Sequence, residues 1–208
     1  FKKVLVNQFT EERFKYIKQE CPYISYLLSD NRLYDYIQLC FEKSEAFGFN
    51  QRGSAKLYID FCFIYGLDFI NDPQYSWINT ALNETKDESQ IYRATDLFEC
   101  YVTYNEEVEG ADRIHLKEFN SRFQNLNLDT LEKYNESNAI SKIRNLLAGI
   151  YPEKFNKIEP SSINAMIQVI LHTATAENIN HENEEILILA LMMFLFGRDF
   201  NKNPMYMV

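Results

Sequence analysis

The side chains able to do chemistry are three histidines, His115, His172 and His181, and four cysteines, Cys21, Cys40, Cys62 and Cys100. A zinc site draws such residues together at short, regular spacings. Here no two cysteines form a CxxC pair, and no histidine lies at ligand spacing from a cysteine. His172 and His181 do not share a helical face. The HExxH, GxSxG and phosphate-loop signatures are missing, and the six glycines are scattered. His181-Glu182, at a predicted turn, has the residue types for acid–base work, and so does the pair Asp96 and Glu99. Asp60 stands among Tyr58, Ile59, Phe61 and Phe63. If buried, it needs a cationic partner. The expectation is no enzyme: no catalytic, cofactor-binding or metal-ligating residue, and no cofactor.

The elements that would position these groups read as helices. Six Gly and five Pro in 208 residues are too few for a fold of many tight turns. Leu33, Tyr36, Ile37, Cys40 and Phe41 follow the helical i, i+3, i+4 rule after Ser29-Asp30. Gly48 is free to end that helix at positive φ. A second helix is predicted from about Gln51 to Tyr65, closed by Gly66. Asp72-Pro73 reads as an N-cap with Pro in the first helical position, opening a short helix with Trp77, Ile78 and Leu82. Asp87-Glu88-Ser89-Gln90 resembles a capping box opening a helix to about Tyr104. Asn105 to Gly110 then reads as a charged break. A weaker helix spans about Asp112 to Phe123. Asp129 can cap a short one, Ser137 to Leu147 forms another, and Ser161 caps the next. The last starts near Asn183 and holds the apolar run Ile186 to Phe196, too short to span a bilayer. Val4 to Val6 and Tyr101 to Tyr104 are the weak strand-like exceptions.

Self-similarity organises the chain. Gly66-Leu67-Asp68-Phe69-Ile70-Asn71-Asp72-Pro73-Gln74-Tyr75 recurs as Gly197-Arg198-Asp199-Phe200-Asn201-Lys202-Asn203-Pro204-Met205-Tyr206. Phe63 matches Phe194 in that register, and after a one-residue gap Ile37, Leu33, Leu28 and Pro22 match Ile167, Ile163, Ile158 and Pro152. The expected fold is therefore all-α, one helical domain over 1–208. It holds two copies of a helix-turn-helix unit, about 14–77 and 144–208, around a helical insert at about 78–143. Each unit ends in a G-x-D-F-x-x-[DN]-P corner. Gly66 and Gly197 suit a left-handed helix end, and Asp68 and Asp199 suit bonding to free backbone N–H groups. Phe69 and Phe200 would plug the helix pair, Pro73 and Pro204 would open the next helix, and Tyr75 and Tyr206 would pack back on it.

The stretch from Arg32 to Trp77 resembles a family of small bacterial proteins whose genes lie among type VI secretion effectors and other contact-dependent toxins. The matching residues are Phe47, Gly48, Tyr58, Asp60, Gly66, Asp68, Phe69, Asp72, Pro73 and Trp77. The second copy departs from the pattern. It has no Gly near Glu177-Asn178, has Leu191 in place of Asp60, and has no Trp. The resemblance supplies no catalytic residues. It implies a role beside a secreted toxin.

The net charge of −9 disfavours direct nucleic-acid binding, which needs clustered Lys and Arg. It suits a basic protein partner. Cysteines without a disulfide framework, and no leader-like start at Phe1-Lys2-Lys3-Val4-Leu5-Val6, point to a cytoplasmic setting without membrane association. The expected function is an immunity protein that neutralises a cognate toxin, with an adaptor or chaperone for effector loading as the alternative. The expected contact residues are the acidic Asp96, Glu99, Glu106, Glu107 and Glu109.

Overall fold

A computed structural model describes residues 2–127, 131, 138–180 and 184–206, and among these the fold is all-α with no strand. The expectations at Asp129, Ser137, His181, Glu182 and Asn183 lie outside the described residues. The first helices are α1 (Lys2–Glu20), α2 (Ile24–Leu27), α3 (Asp30–Phe47) and α4 (Arg52–Tyr65). The middle segment adds α5 (Ser76–Glu84), α6 (Gln90–Glu109) and α7 (Ile114–Gln124). The chain closes with α8 (Ala139–Ile150), α9 (Pro152–Phe155), α10 (Pro160–Ala176) and α11 (Glu185–Phe196).

Two strand-like readings give way to helix. Val4 to Val6 lies in α1, and Tyr101 to Tyr104 lies in α6. The charged break predicted at Asn105 is also absent, because α6 runs on through Glu109 and stops at Gly110. Glu, Asn and Val are all tolerated in a helix, and buried Val108 anchors the last turn. The cap falls two residues later than a capping box over Asp87 to Gln90 implies: Ser89 caps α6, its hydroxyl accepting from the Tyr92 N–H at 3.3 Å. Gln90 does something else. Its Oε1 accepts from the backbone N–H of Asn50 (2.9 Å) and Gln51 (2.8 Å), so it satisfies donors at the start of α4.

The same backbone hydrogen bonds recur at the positions that the sequence matches. At the end of α3, Gly48 N–H donates to Glu45 O and Phe49 N–H to Ser44 O. At the end of α10, Asn178 N–H donates to Thr175 O and Ile179 N–H to Ala174 O. Gly48 has φ 94° and Asn178 has φ 58°, so asparagine takes the turn that glycine takes in the first unit. The later corners agree as closely. Gly66 has φ 95° and ψ 166°, Gly197 φ 93° and ψ 161°, and Asp72 and Asn203 share φ −78° and ψ 119°. Both cap side chains accept from the N–H two residues on, Gln74 and Met205, each at 3.0 Å.

Three corner expectations need correction. Gly66 and Gly197 have positive φ but extended ψ, a region essentially reserved for glycine, and not the left-handed helical end. Phe69 is fully buried, whereas Phe200 is half-buried and plugs less. Tyr75 and Tyr206 do pack back, on Tyr65 (4.4 Å between centroids) and Phe196 (5.0 Å). Pro73 opens a 3-10 turn that leads into α5, while Pro204 opens only a turn among the described residues.

The two corners meet. A Cβ on Gly197 would stand 2.4 Å from Tyr65 O, and one on Gly66 would stand 3.0 Å from Phe196 O. Polar groups cross the contact in both directions. Asp72 Oδ2 accepts from Arg198 N–H at 2.8 Å, and Gln74 Nε2 donates to Met193 O at 3.0 Å. In return, Arg32 Nη2 donates to Pro204 O at 2.8 Å and Asn203 Nδ2 to Tyr36 Oη at 3.3 Å. Lys154 lies buried beneath, donating to Phe194 O and to Tyr75 Oη (3.2 Å). The middle segment packs on this pair through aromatic rings. Phe61, Tyr65, Tyr75, Trp77, Tyr101 and Tyr104 join α4, α5 and α6, with Trp77 stacked on Tyr104 at 5.2 Å.

Gly197→Ala should cost about 3 kcal/mol or more, because strain adds to a backbone clash. Gly48→Ala, in open space, should cost only about 1 kcal/mol. Urea midpoints of the two variants test this, and equal losses would refute the close approach. Burial pushes the Lys154 ammonium down to about 8, against partial support from Asp72. The unfolded lysine keeps its proton to about 10.4. Between these values the unfolded state therefore binds more protons, and stability must rise with pH. Wild type should gain stability relative to Lys154→Met between pH 8 and 10, measured by denaturant titration at each pH.

Candidate protein-binding face

Helix α6 buries Ala94, Leu97, Tyr104 and Val108 and turns its other side outward. Ile91, Thr95, Phe98 and Val102 follow at i, i+4, i+7 and i+11, so they form one stripe on that outer side. Ile91 is 62% exposed, Phe98 49% and Val102 38%. Asp96, Glu99, Thr103 and Glu106 form a second row beside the stripe, by the same periodicity. The apolar stripe and the acidic row are thus neighbouring faces of one rigid helix.

The five acidic residues expected to make contact do not act as one group. Asp96, Glu99 and Glu106 form no ion pair among the described residues. Glu107 is paired with Lys157 Nζ at 2.5 Å, and Glu109 with Arg113 Nε at 3.1 Å. Glu107, four residues after Thr103, continues the acidic row but is paired with Lys157, and Glu109, seven residues after Val102, continues the stripe but is paired with Arg113. The acidic character available to a partner rests on Asp96, Glu99 and Glu106.

A groove of about 390 Å³ separates α6 from α4, lined by Leu57, Ile91, Ala94 and Phe98 with Lys56 and Asp60 at its edge. On the other side of Asp60 a second groove, of about 470 Å³, is lined by Tyr16, Leu27, Ile64 and Phe196. Asp60 finds the partner its surroundings demand. Its carboxylate pairs with Arg13 of α1, whose side chain is 5% exposed. Arg13 and Lys56 both lie over the Tyr16 ring, at 4.7 and 4.9 Å. Burial pushes the Asp60 carboxyl up, against the opposing pull of Arg13 and Lys56. Asp60 thus holds α1 on α4 and divides two apolar grooves.

A cleft of about 730 Å³ lies at the paired corners. It brings together Asp68, Asp199, Lys43, Arg198, Lys202 and His172, a grouping the sequence did not suggest. The only clue was the repeat itself, which places Asp68 and Asp199 at equivalent turns. Asp68 accepts from Asn71 Nδ2 at 2.7 Å, and Arg198 Nε stands 3.7 Å from its other oxygen. Burial, and then repulsion from Asp68, push the Asp199 carboxyl up. These contacts tie the corners together. No helix among the described residues is long and apolar enough to cross a membrane.

Comparison of the chain with family models, with curated proteins and with solved structures finds no match.

Asp60→Asn should destabilise by about 2 kcal/mol, less than the roughly 3–5 kcal/mol for a fully buried pair, because Asp60 is partly solvated. The double variant Arg13→Met/Asp60→Leu should recover most of the loss, since the second unit carries Leu191 at the matching position. Thermal and urea unfolding of the single and double variants test this coupling.

Proposed function

We propose that this protein binds another protein through the outer face of α6 and serves as an immunity protein for a toxin of a type VI or other contact-dependent system. The observation that supports the reading most is the apolar stripe of α6 bordered by the acidic row. Protein interfaces centre on apolar and aromatic groups, with a polar rim that excludes water. Acidic residues at such a rim speed the approach of a basic partner. The resemblance of Arg32 to Trp77 to toxin-associated proteins points the same way, and cysteines without a disulfide framework support a bacterial cytoplasmic setting. The partner's matching surface would carry Lys or Arg around an apolar patch.

The contrasting reading is an adaptor that holds an effector for loading. The two differ in where the partner is gripped. An inhibitor covers the toxic domain, and an adaptor holds a remote segment. A tagged pull-down from native cells, followed by domain truncation of the captured protein, separates them. Recovery of one stoichiometric toxin through its toxic domain, with loss of its activity, is the expected outcome. A toxin that stays active at excess protein refutes inhibition, and capture through an N-terminal segment favours the adaptor. Phe98→Asp and Val102→Asp should each weaken binding by about 2 kcal/mol. Neither should shift stability by more than about 0.5 kcal/mol, because both side chains are exposed. Glu99→Lys and Glu106→Lys should mainly slow association and flatten its salt dependence, read by stopped-flow at several ionic strengths.

A further inference from the structure

Away from α6, the N-terminal part of α7 meets the short helix α9. Three side chains converge there: His115 and Glu118, three residues apart on α7, and Glu153 in the first turn of α9. A donor atom from each lies within 4.8 Å of the other two. Gly110 allows the arrangement, since a Cβ at that position would stand 2.4 Å from His115 Cδ2. Phe119 stacked on Tyr151 at 4.7 Å forms the floor and fixes α7 against the chain that enters α9.

Two features distinguish this cluster from an ordinary ion-pair network. His115 Nδ1 and Glu153 Oε2 are both buried atoms with no hydrogen-bond partner. A buried polar atom left unsatisfied is costly, so something should satisfy it. The second feature is a distance. His115 Nδ1 stands 3.6 Å from Glu153 Oε1. That is too long for a hydrogen bond. It is close to the separation of two ligands on a tetrahedral zinc ion, roughly 3.4 Å for bonds of about 2.0–2.1 Å.

We infer that His115, Glu118 and Glu153 form a binding site for a single first-row divalent cation of the zinc class. One imidazole and two carboxylates supply three ligands and leave a fourth position for water. The imidazole nitrogen selects zinc-class ions over magnesium, which takes oxygen ligands. A bound ion would tie the middle segment to the second unit through α7 and α9. The resident competitor is Arg122. Its guanidinium lies 3.1 Å from Glu118 and 3.9 Å from Glu153. It neutralises the same carboxylates, and must withdraw toward solvent when the ion enters.

Titration with Zn²⁺ alone against a chromophoric chelator tests the site, with thermal unfolding as a second readout. One ion per chain is expected, with a rise in Tm that Mg²⁺ does not reproduce. His115→Ala and Glu153→Gln should each weaken binding at least about tenfold. Glu118 is exposed, so Glu118→Gln tests a ligand without endangering the fold, and should weaken binding as well. Arg122→Gln should bind Zn²⁺ several-fold more tightly than wild type. If Zn²⁺ does not bind, or binds equally to wild type, His115→Ala and Glu118→Gln, the cluster is only an Arg–carboxylate network beside a histidine and the inference is overturned.

Discussion

The contact between Gly66 and Gly197 sets the rest of the molecule. Two helix ends approach until backbone touches backbone, and only glycine at both positions permits it. Once the ends are that close, each corner lies within reach of the other half. Asp72 and Gln74 then satisfy groups at Arg198 and Met193, while Asn203 donates to Tyr36 and Arg32 to Pro204 O. Neither half completes its own polar accounting. Buried backbone groups are nearly always paired, so each half would expose unsatisfied groups without the other. This reciprocity links the two halves through hydrogen bonds that run in both directions.

The same closeness explains where a functional surface can form. The corners and the helices α3, α4, α10 and α11 spend their apolar faces on one another. The aromatic cluster around Tyr65 and Trp77 then fixes α6 to the outside of that pair. A long helix packed on one side keeps its other side for solvent or for a partner. Ile91, Phe98 and Val102 occupy that side although nothing within the described residues covers them. Single exposed apolar residues are ordinary on any protein surface. Three on one stripe, beside a groove lined by Leu57 and Ala94, make a continuous patch.

Much of this was legible from residue types and spacing. The cap at Asp72, the face of α3, the pairing of Tyr75 and Tyr206 with the helix above, and the partner required by Asp60 all follow from local chemistry. The reading failed where tertiary context overrides local preference. Charge density at Asn105 to Glu109 looked like a break, but Val108 docks in the core and carries the helix on. Gly66 and Gly197 looked like local helix stops, whereas their conformation answers to a neighbour far away in the chain. Asn178 shows the reverse. Its equivalence to Gly48 is invisible by residue type, yet its backbone and hydrogen bonds are the same. The meeting of Glu153 with His115 and Glu118 depends on how α7 docks against α9, which no periodicity reports.

The extension of α6 also changes what its acidic residues can do. In a flexible charged break, Glu106, Glu107 and Glu109 would act together as a diffuse negative segment. On a helix they diverge. Glu107 and Glu109 turn toward Lys157 and Arg113, where each is neutralised and serves to anchor the helix end. Glu106 stays with Asp96 and Glu99 beside the apolar stripe. Surface ion pairs contribute little stability, so pairing Glu107 and Glu109 matters less for folding than for removing their charge from the outer field. The remaining negative row is narrow and lies along one edge of the patch.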